Sequence, residues 1–359
     1  MEQTTAKKWF KKCIGMLIGL LTAVALVAVI VDPYFHFHKP FSFLSYRLYE
    51  ERYVNDGISR HFDYDAVITG TSMAQNFKPS EMDALLGTRS VKEPFSGAGY
   101  QELSQNLERA LLRNKELKTV LWALDYNGLL RDYDWQQYEE YPTYLYDENP
   151  FNDVRYVFNK SIFYHGVFPN VVMSLKKEAS TSMDEYSAWK HETGLRHIML
   201  SYDRENVSIP KEKEFGEEER KLVTQTIQYN IIDLVNQYPE TEFILFYTPY
   251  SICYWDALKI KGTIIKQTEA EKYATEMLLQ CPNVKLYNFF DQYDVICNTD
   301  YYNDDGHYSA EINSRILEWI AQGTGLLTSE NYLQRLNEEQ EFYLNFDYDS
   351  IYLELEEDS

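Results

Sequence analysis

"AVITGTSMAQNF", residues 66–77, joins a short β-branched run to a Gly-Thr-Ser turn. Ala66-Val67-Ile68 reads as a buried strand stopping at Gly70, which sets Ser72 where a strand hands over to the next segment. Downstream, "KPSEMDALLG" (78–87) reads as a short helix, with Pro79 in its first turn and Gly87 at its stop. "YQELSQNLERALLRN" puts Leu103, Leu107, Ala110 and Leu111 on one helical face, and "KTVLWAL" (118–124) is the next buried strand. "RKLVTQTIQYNIIDLVNQYP" repeats the amphipathic pattern. "TEFILFYTP" is then a strand, "TEAEKYATEMLLQ" a helix, "NVKLYNFF" a strand and "SAEINSRILEWIAQG" the last helix. Strands alternating with helices at this spacing predict a parallel α/β sheet. Ser72 then falls on the rim where open α/β sheets bind ligands.

The alternation breaks between about 128 and 215, a stretch crowded with tyrosines in its first half and weakly periodic in its second. It is expected as an insertion beside the C-terminal rim of the sheet, forming a lid or specificity wall. Residues 32–63 are rich in aromatics and charges, with "NDG" at 55–57 read as a turn, and are expected as a juxtamembrane neck.

"CIGMLIGLLTAVALVAVIV", residues 13–31, is uncharged and about as long as a bilayer-spanning helix requires. Lys7, Lys8, Lys11 and Lys12 precede it and Asp32 follows, so a single-pass signal anchor is expected, with residues 1–12 cytoplasmic and the remainder extracytoplasmic. The 359-residue chain has a net charge of -22, which argues against nucleic acid and anionic membrane surfaces as partners. From Glu338 to Ser359 there is no lysine or arginine; a solvated acidic tail is expected over 326–359, with docking of Phe342, Tyr343, Phe346 and Tyr348 as the alternative. Cys13 lies in the apolar stretch, and Cys253, Cys281 and Cys297 form no framework, although one Cys281–Cys297 bridge is compatible with the spacing. His36 and His38 suit a membrane interface, and His61, His165, His191 and His197 form no spaced ligand set, so neither metal nor cofactor is expected.

"YYNDDGHYSAEIN", residues 301–313, supplies what a serine nucleophile needs. A neutral serine requires a base to take its proton, and the base requires a carboxylate to hold its tautomer. Asp304 and His307, three residues apart before the last helix, are the candidates to meet Ser72 across the sheet rim.

These motifs resemble those of the SGNH/GDSL hydrolases. Gly70-Thr71-Ser72 looks like the family's Gly-Asp-Ser block, "FSGAG" (95–99) like the second block, and Asp304-Asp305-Gly306-His307 like the closing Asp-x-x-His block. Thr71 stands where the family usually has aspartate, as in membrane-anchored relatives that act in cell-wall and exopolysaccharide acylation. The Gly-x-Asn-Asp block is not evident; Asp125-Tyr126-Asn127 follows the strand in its place. The resemblance implies a three-layer, flavodoxin-like domain over 64–325, with catalytic Ser72, Asp304 and His307. It also implies an oxyanion hole of the Ser72 and Gly97 N–H groups and the Asn127 side chain.

By the same resemblance the chain is an extracytoplasmic serine esterase or O-acyltransferase acting on a cell-envelope or secreted polysaccharide. An acyl donor and a glycan acceptor would be its substrates, and a membrane-bound O-acyltransferase a partner. Two other readings compete. Gly70-Thr71-Ser72-Met73-Ala74 approaches the G-x-S-x-G elbow of α/β-hydrolases, and the tyrosine-rich insertion suits a carbohydrate-binding scaffold on an inactive frame.

Overall fold

The computed structural model describes residues 2–200, 204 and 210–353. They group into two compact units, Met1–Phe62 with Glu140–Ser182 and Asp63–Glu139 with Met183–Ser359.

In the first unit α1 (Glu2–Val31) contains a stretch long and apolar enough to cross a membrane. Where α1 ends, the buried Asp32 carboxylate accepts hydrogen bonds from the N–H groups of His36, Phe37 and His38 and from the Tyr156 hydroxyl. α2 (Glu51–His61) runs straight through "NDG", so the expected turn is not there. Gly57 lies against the Tyr34 carbonyl, where any Cβ would collide. That close approach, rather than a turn, explains a glycine that costs a helix interior about 1 kcal/mol. Residues 140–182, expected to wall the sheet domain, belong to this unit instead. They are tied to its N-terminal part through Tyr156 to Asp32, Asp153 to His36 (2.8 Å), and Asn170 and Ser174 to the backbone at Arg47 and Ser45.

The second unit is built on a six-stranded sheet in the order β2-β1-β3-β4-β5-β6. Its elements in chain order are β1 (Ala66–Gly70), α3 (Pro79–Leu86), β2 (Ser90–Pro94), α4 (Tyr100–Arg113), β3 (Thr119–Leu124) and α5 (Glu217–Ile227). They continue with β4 (Glu242–Tyr247), α6 (Ile252–Lys261), α7 (Ile264–Leu278), β5 (Val284–Tyr287), α8 (Ala310–Gln322), β6 (Leu326–Leu327) and α9 (Tyr332–Asn345). β1 to β5 pair in parallel and β6 pairs antiparallel with β5, so the sheet is mixed, where an all-parallel one was expected. The order reverses between β1 and β3, and such a reversal opens a crevice at the carboxyl ends of those two strands.

The apolar runs of β1, β3 and β4 are buried almost throughout, and Val120, Leu121, Trp122, Phe243 and Leu245 are fully enclosed. β2 carries Lys92 and Glu93 inside the protein. Their charges are met by the carbonyls of Phe77 and Asp184 around Lys92 Nζ and by Asn106 Nδ2 on Glu93.

One expectation gives way here to the alternative given with it. The solvated tail does not begin at 326: α9 packs on α7, Leu336 and Glu339 are buried, and the Tyr343 ring stacks on Trp255 at 3.7 Å. The alternating burial of Leu336, Glu339 and Tyr343 gives α9 an inward face that its acidic composition hides. The Cys281–Cys297 bridge does not form, and all four cysteines are free thiols.

Candidate active site

β1 ends at Gly70, whose φ of 148° and contact with the Ala123 and Ala74 side chains leave no room for a Cβ. The chain then turns through a single 3₁₀ turn, Ser72–Ala74, with Ser72 half-buried at its start. Facing it is the loop before α8, closed by a Tyr302–Tyr308 β-bridge. The Asp305 carbonyl accepts from both the N–H and the hydroxyl of Ser251. Asn313 of α8 donates to the Met73 carbonyl at 3.0 Å, so the two halves of the site share a direct tie.

Ser72 Oγ lies 2.7 Å from His307 Nε2, and His307 Nδ1 lies 2.8 Å from Asp304 Oδ2. The other Asp304 oxygen accepts from the N–H groups of Gly306 and His307. Burial alone would raise the Asp304 carboxyl. The hydrogen bond and charge of His307 and those two N–H groups outweigh it and hold the carboxyl below its ordinary value. Burial would likewise lower His307, but Asp304, with Asp125 and Asp305 farther off, raises its imidazole above the ordinary 6.5. A neutral imidazole in this position donates from Nδ1 to Asp304 and accepts from the serine hydroxyl at Nε2, the tautomer a general base requires.

The serine opens on a cavity of about 310 Å³. Gly97 and Asn127 line it with Ser72, and so do Asp304, Asp305 and His307; every residue singled out from the sequence for this site reaches the same cavity. Asn127 Oδ1 accepts from Tyr254 OH at 3.3 Å, which orients the amide. The Arg131 guanidinium lies 4.0 Å over the Trp135 ring at the cavity wall.

Asp125, Tyr250 and Trp189 were given no role by the sequence. Asp125, directly after β3, is buried, borders the same cavity, and accepts from Thr71 Oγ1 at 2.7 Å and from Tyr250 OH. Burial raises its carboxyl, partly offset by the Tyr250 and Thr71 hydrogen bonds and the charges of His307 and Arg131. Trp189 packs edge-on against the His307 ring with centroids 5.7 Å apart, and its backbone N–H donates to Asn76 Oδ1 at 2.9 Å. Arg131, Gln137 and Trp189 show that the two ends of the 128–215 stretch border the site while 140–182 belongs to the other unit. Residues 201–203 and 205–209 of that stretch lie outside the described residues.

Neither a protein-family model nor a curated protein matches the chain. Among solved structures it is similar to a protein of Streptococcus pneumonia assigned provisionally as a platelet activating factor, at 12% identity and a TM-score of 0.41, over 76% of this chain and 91% of that one.

Proposed function

We propose that the chain is a membrane-anchored serine esterase or O-acyltransferase of the SGNH type. One observation carries this reading: Ser72, His307 and Asp304 form an unbroken hydrogen-bonded line, 2.7 and 2.8 Å, at the mouth of a cavity. Ser72 Oγ attacks an ester carbonyl while His307 Nε2 takes its proton. The tetrahedral oxyanion is met by the Ser72 and Gly97 N–H groups and the Asn127 amide. Collapse expels the alcohol, which leaves with the proton held by His307. Water or a sugar hydroxyl then gives a proton to His307 and attacks the acyl-serine, regenerating the enzyme. Asp304 holds the imidazole in the productive tautomer and offsets the positive charge that forms on it.

The 13–31 helix supplies the anchor, with the lysines before it holding the N-terminus in the cytoplasm and residues from about 32 outside. In that compartment the acceptor is a cell-envelope or secreted glycan, and a membrane-bound O-acyltransferase is the natural source of acyl groups.

The test is intact mass of the full-length chain in detergent after exposure to p-nitrophenyl acetate. An acetyl adduct is expected on the wild type and absent from Ser72→Ala and His307→Ala. Asp304→Asn should slow its formation by up to about 10⁴-fold. Asp305→Asn, which alters a carboxylate beside the line but not in it, should leave most of the rate. An adduct retained on Ser72→Ala refutes the assignment.

A further inference from the structure

We propose that residues 151–177 form a second membrane contact, an apolar and basic ledge that enters the bilayer beside the C-terminal end of α1 and holds a phospholipid acyl chain in the groove against Val24. The inference rests on reading α1 as membrane-spanning, and it concerns a part of the chain remote in sequence from that helix.

One face of α1 is covered. Ala28 and Val31 are buried and Val24 is half-buried, spaced along the helix so that they share a side. Leu20, Leu21, Leu26, Val27 and Ile30, on the other sides, are exposed. The covering elements are the helical turns Val154–Val157 and Phe163–Val167. Val24 lies seven residues before Val31, about 10 Å along the axis at 1.5 Å per residue. If the apolar run 13–31 fills a hydrocarbon core about 30 Å thick, Val24 lies well inside it. A side chain that lines a groove with Val24 therefore shares its depth, whichever way the helix points.

That groove has a volume of about 470 Å³. Its walls are Val24, Val157, Phe158, Phe163, Tyr164 and Phe168, with Lys160 at its edge. Of the groove residues Tyr164 (67%) and Phe168 (58%) are exposed, and the same segment also exposes Phe151 (90%) and Leu175 (80%). Water-facing surfaces of soluble proteins rarely expose so many large apolar side chains in one short segment, whereas hydrocarbon accepts them without cost. The backbone suits the same setting. Lys160–Ile162, Phe163–Val167 and Phe168–Lys176 run on from one another as helical turns, which satisfy their own polar groups as a lipid environment demands.

Charge selects the occupant. In a chain of net charge -22, residues 151–177 contain Arg155, Lys160, Lys176 and Lys177 against one acidic residue, Asp153, whose carboxylate is taken up by His36 at 2.8 Å. The overall acidity argues against anionic membrane surfaces, but this segment has the opposite sign and fits anionic headgroups above a buried apolar face. Asp32, bonded to Tyr156 at 2.8 Å, ties the ledge to the point where α1 ends.

The test uses the full chain in phosphatidylcholine–phosphatidylglycerol nanodiscs, with Cys13→Ser and Cys297→Ser leaving only buried thiols. Nitroxide labels at Phe158→Cys and Phe168→Cys are read for collisions with oxygen, enriched in hydrocarbon, and with a nickel chelate, confined to water. Ile18→Cys in α1 and Leu333→Cys in α9 are the references, and all four positions are exposed enough to carry a label. Oxygen collisions several-fold above nickel collisions are expected at 158, 168 and 18, with the reverse at 333. Water-like behaviour at 158 and 168 with a lipid-like Ile18 position overturns the ledge and leaves the anchor standing. A water-like Ile18 position refutes the anchor, and the ledge with it. Labels at 158 and 168 shielded from both reagents overturn the lipid occupant in favour of a protein.

Discussion

Glu339→Gln should stabilise the docking of α9 at neutral pH and flatten its pH dependence. Glu339 and Glu271 are both fully buried, and Asn288 Nδ2 bridges them at 2.9 and 2.6 Å, with Tyr126 OH beside both. Burial raises the Glu339 carboxyl from 4.5 to about 8, against the hydrogen bonds of Asn288 and Tyr126 and the charges of Arg335 and Lys272. Burial and the neighbouring Glu339 raise Glu271 as well. The native state therefore holds protons that the undocked helix releases. The stabilisation is complete below about pH 4.5 and is lost as pH rises toward about 8. At pH 7 the gap above 4.5, at about 1.4 kcal/mol per pH unit, costs about 3 kcal/mol for Glu339. A glutamine has no proton to lose, its carbonyl can still accept from Asn288, and its amide can serve Glu271 Oε2, which is buried without a hydrogen-bond partner. Amide hydrogen exchange of α9 in the full chain, corrected for intrinsic rates, reads the opening free energy. Wild-type protection should fall by up to about tenfold per pH unit between 5 and 8. The variant should match the wild type near pH 4.5 and exceed it at pH 7. Equal slopes for the two proteins, or a variant less protected at pH 7, would refute the buried-proton argument.

The rate of acyl-enzyme formation should rise with pH through a value above 6.5, because His307 must be neutral to act and Asp304 raises it; Asp304→Asn should move that rise to lower pH while lowering the plateau, which a stopped-flow pH profile measures. Asn127→Ala should cost about 10²–10³ in kcat with p-nitrophenyl acetate if the amide meets the oxyanion, and an unchanged kcat would remove it from the hole. Arg131→Gln should raise KM for esters with an anionic alcohol more than for neutral ones, since the guanidinium stands at the cavity wall; equal changes for both would show that it only offsets the nearby aspartates.

The strands that could be read from the sequence are those with uninterrupted apolar runs, such as Val120–Leu124 and Phe243–Tyr247. Ser90–Pro94 could not, because Lys92 and Glu93 are hydrogen-bonded inside the protein by carbonyls and an amide whose proximity only the fold creates. Ser72, Asp304 and His307 were legible because local spacing encodes their geometry: a strand end for one, a single turn for the other two. Trp189, Asp125 and Tyr250 reach the site from segments whose local pattern gives no sign of it. The same limit hid Gly57, whose neighbour Tyr34 lies on another element, and α9, whose inward face is sparse among carboxylates.

The bond between Thr71 and Asp125 joins two positions 54 residues apart, one beside the nucleophile and the other on the adjoining strand. The buried carboxylate beside the nucleophile turn is thus supplied from the end of β3 and not from the residue next to the serine. Placing aspartate at 71 alone would press two carboxyl groups into one buried space, and removing Asp125 alone would strand the Thr71 and Tyr250 hydroxyls. Neither single step leads easily from one arrangement to the other. Divergent lineages should therefore inherit residues 71 and 125 as a pair, so that the identity of one foretells the other even where the rest of the chain has drifted beyond alignment.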